Sequence, residues 1–145
     1  MSEPLFYSLP HGHYDILRVA LEAALLPTDD LLEPGRMFFG LSDDRGPIGY
    51  VGLEGDGPDR LLRSLVIMPT RRQHGHGGTL IARLEQLAKD GEVERLHLLT
   101  RSARSFFRDR GYADADRGAA PPSITSSAQF TSLCPASAAY LVKTL

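Results

Sequence analysis

Leu61-Leu62-Arg63-Ser64-Leu65-Val66-Ile67-Met68-Pro69 leads through Arg71-Arg72-Gln73-His74-Gly75-His76-Gly77-Gly78-Thr79 into a helical pattern. The first run is the longest β-type stretch of the chain, and Pro69 closes it because proline cannot donate to a ladder. From about residue 78 to 90, Leu80, Ile81, Leu84, Leu87 and Ala88 form one apolar stripe, with Gly91 placed as a helix C-cap. Strand, glycine-rich turn and helix therefore follow one another directly. The first amides of a helix have no partner within it, and the dipole adds about half a positive charge there. Such a place suits an anion, and Gly75, Gly77 and Gly78 let the backbone approach one closely. Arg71 and Arg72 flank the turn as possible partners for phosphate oxygens.

Working outward, apolar residues at helical spacing predict a helix over 11–26, stopped at Pro27, and a second short helix over 28–32. Residues 37–41 and 48–53 read as a hairpin turning through Ser42-Asp43-Asp44-Arg45-Gly46. A strand is expected over 96–100 and a short helix over 102–110, ending at Gly111. The remainder, 112–145, reads as an irregular tail with loop at Pro121-Pro122 and 123–127, and a last strand or short helix over 133–142. This is one α/β (or α+β) domain over 1–145 with no repeats or long linker.

Composition excludes several classes. The net charge of −2, with no long basic run, argues against nucleic acid, whose non-specific affinity needs many Lys and Arg contacts. No apolar run approaches a bilayer span, and the N-terminus lacks the pattern of a secretory signal, so no membrane partner and a cytoplasmic location are expected. Cys134 is the only cysteine, which rules out an internal disulfide or a cysteine-built metal site. His11, His13, His74 and His76 form two H-x-H pairs without an acidic or thiol partner at metal spacing, so no metal is expected.

Among phosphate-binding loops, a Walker loop would need Gly-Lys-Ser/Thr, and this turn contains no lysine. In a Rossmann fingerprint the third glycine would fall at Leu80. Arg72-x-x-Gly75-x-Gly77 instead resembles the coenzyme A loop of the GNAT superfamily of N-acetyltransferases. Leu65-Val66-Ile67-Met68-Pro69 resembles the superfamily's fourth strand, and Phe107-x-x-x-Gly111-Tyr112 its late Tyr-x-x-x-Gly-Phe segment. The resemblance covers residues 61–112. It implies a mixed, mostly antiparallel sheet with splayed central strands and flanking helices, and acetyl-CoA as cosubstrate. It also implies that the backbone of Leu65, Val66 and Ile67 meets the pantetheine arm. The pyrophosphate would rest on Arg72, Gln73, His74, Gly75, His76, Gly77, Gly78 and Thr79.

Leu98-Leu99-Thr100-Arg101-Ser102-Ala103-Arg104-Ser105-Phe106-Phe107 resembles a segment shared by two branches. These are the N-acetyltransferases of arsenic-resistance operons and the acetyltransferase domain of N-acetylglutamate synthases. Leu61-Leu62-Arg63-Ser64-Leu65 and Leu133-Cys134-Pro135-Ala136-Ser137-Ala138 resemble the arsenic-operon group more closely. That branch implies as acceptor the amino group of a small amino acid bearing a second acidic group, such as arsinothricin or phosphinothricin. Cys134 has no activating motif beside it, so direct transfer in a ternary complex is expected rather than a covalent intermediate. The alternatives are a glutamate or general amino-acid N-acetyltransferase and a non-catalytic coenzyme-A-binding module. An acidic acceptor calls for a cation, and Arg63 is the candidate, with an internal ion pair to Glu54 as the competing reading. Glu54 is the candidate general base. Phe107 stands where relatives have the tyrosine that protonates the leaving thiolate. Ser105, Ser137, Tyr112 and Tyr140 are the substitutes, and no general acid is assigned. Small domains of this superfamily are often dimers, so a homodimer is carried over as an expectation that no residue pattern decides.

Overall fold

The structure, a computed structural model, describes residues 3–133 and 137–145. Its centre is a seven-stranded mixed sheet. The strands are β1 (Leu5–Ser8), β2 (Arg36–Asp43), β3 (Gly46–Glu54), β4 (Asp59–Ile67), β5 (Arg95–Thr100), β6 (Ala113–Asp114) and β7 (Ala139–Thr144), in the spatial order β1-β2-β3-β4-β5-β7-β6. Every neighbouring pair is antiparallel except β4 with β5, which is parallel. The helices are α1 (Tyr14–Ala23), α2 (His76–Asp90), α3 (Arg104–Arg108) and α4 (Pro122–Thr125). This is the single-domain GNAT fold expected from the sequence, an α/β layer arrangement around one mostly antiparallel sheet.

The sheet is covered on both faces, which explains why β3 is buried along nearly its whole length. On one face the stripe Leu80, Ile81, Leu84 and Ala88 of α2 joins Phe39, Leu41, Ile48, Leu53, Leu62, Leu96 and Leu98. On the other, Tyr14, Leu17, Ala20 and Leu21 of α1 join Phe38, Tyr50 and Val66. Farther along that second face, Leu61, Ile124 and Tyr140 form a smaller cluster under α4. Fully burying one such aliphatic side chain contributes about 1.5–3 kcal/mol. Gly52 has a packing role. A Cβ there would stand 2.7 Å from the Phe38 ring and 3.1 Å from the Arg63 side chain.

Several local expectations are corrected. Residues 29–32 form turns rather than a second helix, and α1 ends at Ala23, three residues early. β1 was not expected, because four residues between prolines carry too little periodicity; pairing with β2 creates it. Within the tail, Pro121-Pro122 opens α4 rather than a loop, with proline at the start of the helix where its missing N–H costs nothing. A π-type turn spans Gln129–Leu133, and the last strand runs over Ala139–Thr144. Cys134, Pro135 and Ala136 lie outside the described residues.

Candidate functional site

The parallel ladder between β4 and β5 lasts three residue pairs, Asp59 with Arg95, Arg60 with Leu96 and Leu61 with His97. Beyond that point β5 stays with β7 for three more pairs, up to Thr100 with Ala139. The two central strands therefore part after Leu61, and the β5-facing edge of β4 has no ladder partner from there to Ile67 among the described residues. A sheet interior with an unpaired edge is a place for an added strand-like ligand.

Opposite that gap the register of β3 against β4 slips. Tyr50 pairs with Val66, yet Gly52 pairs with Arg63, so β4 carries one extra residue. Ser64 takes a left-handed conformation at φ 59° within this bulge. A bulge re-aims side chains and backbone groups beside it. The residues named from the sequence for the pantetheine arm, Leu65, Val66 and Ile67, lie along the gap immediately after the bulge.

The glycine-rich loop follows at the mouth of the gap. Gln73 and Gly75 are left-handed (φ 68° and 77°), and α2 begins at His76 with no acidic residue in its first turn. Alternation of this kind turns successive amides toward one point, a concave anion seat. The amides of Gln73 through Gly78 have no backbone partner among the described residues. The first bond of the turn runs from Thr79 N–H to the Gly75 carbonyl, 3.2 Å. The Thr79 hydroxyl donates to the same carbonyl (3.3 Å). Arg72 is exposed, and its Nε donates to the Ile67 carbonyl at 3.2 Å. His74 is exposed and His76 half-buried at the rim, with His74 Nδ1 2.7 Å from the Arg72 carbonyl oxygen. Phe106 and Arg110 back the loop. A Cβ on Gly77 would come within 3.0 Å of the Phe106 ring, and one on Gly78 within 3.0 Å of the Arg110 guanidinium.

Arg71 is turned the other way. It is buried, pairs with Asp43 and donates to the carbonyls of Gly46 and Pro47, pinning the β2–β3 hairpin to the strand end. Its proposed share in phosphate binding is thus taken up by a structural bond. These loop residues suit a coenzyme A pyrophosphate: the amides of Gln73 through Gly78 are unpaired, Gly75, Gly77 and Gly78 add no side chain, and Arg72 and Arg110 have no carboxylate partner among the described residues.

Arg63 lies on the bulge flank with no exposed side-chain surface. Its Nη1 and Nη2 each donate to Asp30 at 2.6 Å, and Nη1 also donates to Glu54 Oε1 at 2.8 Å. Its Nε donates to Ser64 Oγ at 3.1 Å. Arg36 completes the cluster through bonds to Asp30 at 3.0 and 3.2 Å. Burial raises the Asp30 pKa, but the hydrogen bonds and charges of Arg63 and Arg36 outweigh it and leave the carboxyl below its usual range. Glu54, 7% exposed, faces Arg63 and Arg36. The internal pair weighed against a substrate role for Arg63 is therefore present, with Asp30 as an additional partner 33 residues away that no sequence spacing reveals.

Phe107 is buried between the rings of Phe106 and Tyr112, so α3 presents no hydroxyl from that position. Of the substitutes, Ser105 and Ser137 are exposed. Tyr112 donates to Glu85 Oε2 at 2.9 Å, and burial foremost, then Glu85, pushes its pKa up. Tyr140 is buried against His97, which is the one histidine the sequence reading passed over. Among the described residues no group of three or more His, Cys, Asp or Glu could hold a metal, and no helix is long and apolar enough to cross a membrane.

The pattern of the acetyltransferase (GNAT) family matches residues 4–112. No curated protein sequence matches the chain. Among solved structures it is similar to N-acetylglutamate synthase from Neisseria gonorrhoeae complexed with coenzyme A and N-acetyl-glutamate. There the TM-score is 0.81 and the identity 18%, covering all of this chain and 36% of that one. The chain thus spans about a third of that enzyme's length. It is also similar to Rv2747 from Mycobacterium tuberculosis in complex with CoA, with TM-score 0.80 and 16% identity over 97% of this chain and 99% of that one. A GNAT acetyltransferase from Staphylococcus aureus gives TM-score 0.79 and 16% identity, covering 99% of each chain. With the splayed strands, the bulge and the amide-lined loop on one side and this match on the other, the chain belongs to the GNAT family of acetyltransferases.

Proposed function

We propose that the protein transfers an acetyl group from acetyl-CoA to the amino group of a small molecule, by direct transfer in a ternary complex. The observation that carries this reading is the continuity of the β4 edge with the loop. The unpaired stretch 62–67 runs straight into the amides of Gln73 through Gly78. The pantetheine arm would lie along Leu65, Val66 and Ile67, and the pyrophosphate on the loop with Arg72 beside it. Bound there, acetyl-CoA supplies an activated thioester carbonyl. The chain holds the acceptor against it, and proximity of this kind is worth ~7–11 kcal/mol.

For the acceptor we favour an amino acid or analogue with a second acidic group, of the arsinothricin or phosphinothricin type, on the strength of the resemblance to the arsenic-operon branch. Glutamate is the second reading, favoured by the likeness to a structure holding N-acetyl-glutamate. Arg63 would serve such a substrate only by exchanging Asp30 or Glu54 for the substrate's acid. The role the geometry supports better is to brace the bulge through Ser64. Glu54 as general base faces the same obstacle, since its carboxylate is already bonded to Arg63 and lies 3.7 Å from Arg36.

Acetyl-CoA-dependent thiol release against glutamate, phosphinothricin, arsinothricin, plain amino acids, polyamines and an aminoglycoside tests the proposal. Turnover confined to the acidic amino acids supports it. Turnover of polyamines or the aminoglycoside alone would refute the acidic-acceptor reading.

A further inference from the structure

Asp59, His97 and Tyr140 form a chain of hydrogen bonds that neither the coenzyme loop nor the Arg63 cluster uses. His97 Nε2 lies 2.8 Å from Asp59 Oδ1, and its Nδ1 lies 2.6 Å from the Tyr140 hydroxyl. His97 is 2% exposed and Tyr140 4%. The chain links β4, β5 and β7 at one point, because Leu61 with His97 is the last pair before β4 and β5 part. Tyr140 is the β7 partner of Leu99, the second β5 residue beyond that point. It packs in the cluster of Leu61 and Ile124, on the face opposite α2.

The carboxylate end fixes the direction of the bond to His97. Arg95 bonds both oxygens of Asp59 (2.6 and 3.0 Å). That hydrogen bond foremost, with one from His97, holds the carboxyl below its ordinary pKa range, so it is an acceptor only. His97 Nε2 must then donate; in the singly protonated ring this leaves a lone pair at Nδ1, to which the Tyr140 O–H donates. An imidazole oriented by a carboxylate, with a hydroxyl on its other nitrogen, can take that hydroxyl's proton.

We propose that this chain is the proton relay of the acetyl transfer, with Tyr140 as the catalytic residue and His97 and Asp59 as positioning residues. The proposal rests on the acetyl-transfer reading above. As the acceptor nitrogen bonds to the acyl carbon, its N–H proton passes to Tyr140 Oη while the phenolic proton passes to His97 Nδ1. Asp59 holds the resulting imidazolium. When the carbon–sulfur bond breaks, the same shifts run in reverse and the proton ends on the departing sulfur, so the chain returns to its starting state. The relay supplies a base and an acid in a protein whose α3 carries Phe107 and whose Glu54 is committed to arginines. The charged and titratable groups facing it are Asp59 from β4, Arg95 on β5 and Tyr140 from β7. Arg117 lies 4.9 Å over the Phe130 ring, which packs edge-on against Tyr140.

The test compares wild type with Tyr140→Phe and His97→Gln. Glutamine can accept from Tyr140 and donate to Asp59 at once, so it keeps the strut between strands but takes up no proton. Acetyl-CoA affinity by calorimetry and thermal stability are expected to stay near wild type in His97→Gln. With the amine panel, extended by hydroxylamine, kcat/KM is expected to fall about 10²-fold or more in both variants. An ionisation seen in the wild-type pH profile should vanish in both. His97→Gln at the wild-type rate and profile would make the chain a strut and overturn the relay. The tautomer of His97 from ¹⁵N spectra decides independently of turnover: Nε2–H supports the relay, and Nδ1–H overturns it. Wild type that binds acetyl-CoA but transfers to no amine fails the acetyl-transfer reading, whereas turnover that the variants leave unchanged fails the relay alone.

Discussion

Arg63 and Asp30 meet fork to fork, both guanidinium nitrogens 2.6 Å from the carboxylate oxygens, across 33 residues of sequence and in a site closed to solvent. This pair ties the loop before β2 to the bulged strand β4, and Glu54 and Arg36 neutralise what remains. The same guanidinium reaches Ser64 in the bulge, so the geometry beside the β4–β5 gap depends on a buried ion cluster.

Removing the centre of that cluster leaves two buried carboxylates with Arg36 as their one remaining cation. Arg63→Ala is expected to destabilise the protein by about 3–5 kcal/mol, the cost of breaking a buried pair rather than the net worth of the pair. Thermal unfolding of the variant checks this. A loss below about 1 kcal/mol would mean that the cluster is hydrated and that Arg63 is available to a substrate after all.

Asp30 and Asp59 both ionise more readily in the folded protein than in the unfolded chain. Their folded pKa values lie below the unfolded value of about 3.9. The stability they contribute is therefore fully present above that value and is lost as pH falls through the folded ones. Unfolding free energy is expected to drop below about pH 4, and Asp30→Asn should flatten the slope. An Asp30→Asn variant with an unaltered acid limb would refute the assignment.

At the loop, Gly77→Leu places a side chain between the Phe106 ring and the path to the amides. Acetyl-CoA affinity measured by calorimetry is expected to fall at least about tenfold, or ~1.4 kcal/mol, with circular dichroism unchanged. An unaltered Kd in the folded variant would take the pyrophosphate off these amides.

Ser64 combines a left-handed backbone with a hydroxyl that Arg63 uses. Ser64→Ala loses the hydroxyl and keeps the strain. Ser64→Gly loses it too but relieves the strain, which is worth roughly 1–2 kcal/mol. Ser64→Gly should therefore be the more stable of the two by about 1 kcal/mol in denaturant unfolding. The reverse order would show that the bulge is not strained.

What could be read from the sequence was local. The strand–turn–helix junction was legible because its glycines fall at fixed offsets before a helix: Gly75, Gly77 and Gly78 sit next to Leu80 and Ile81 in the chain as in space. The apolar stripe of α2 and the β2–β3 hairpin were legible for the same reason, since their periods repeat over neighbouring residues. β1 and α4 were not, being too short to show a period and made stable by the surfaces they cover.

The polar cluster and the relay depended on tertiary structure alone. Arg63 beside Glu54 was open to a substrate role or an internal pair until Asp30 and Arg36 were brought to it from the segment before β2. His97 and Tyr140 are 43 residues apart and bond only because β5 and β7 are neighbours in the sheet. A side chain's charge and hydrogen-bonding capacity are written in the sequence, but its partner is set by long-range packing. For buried ionisable groups the partner decides whether the residue is a brace, a base or a binding site.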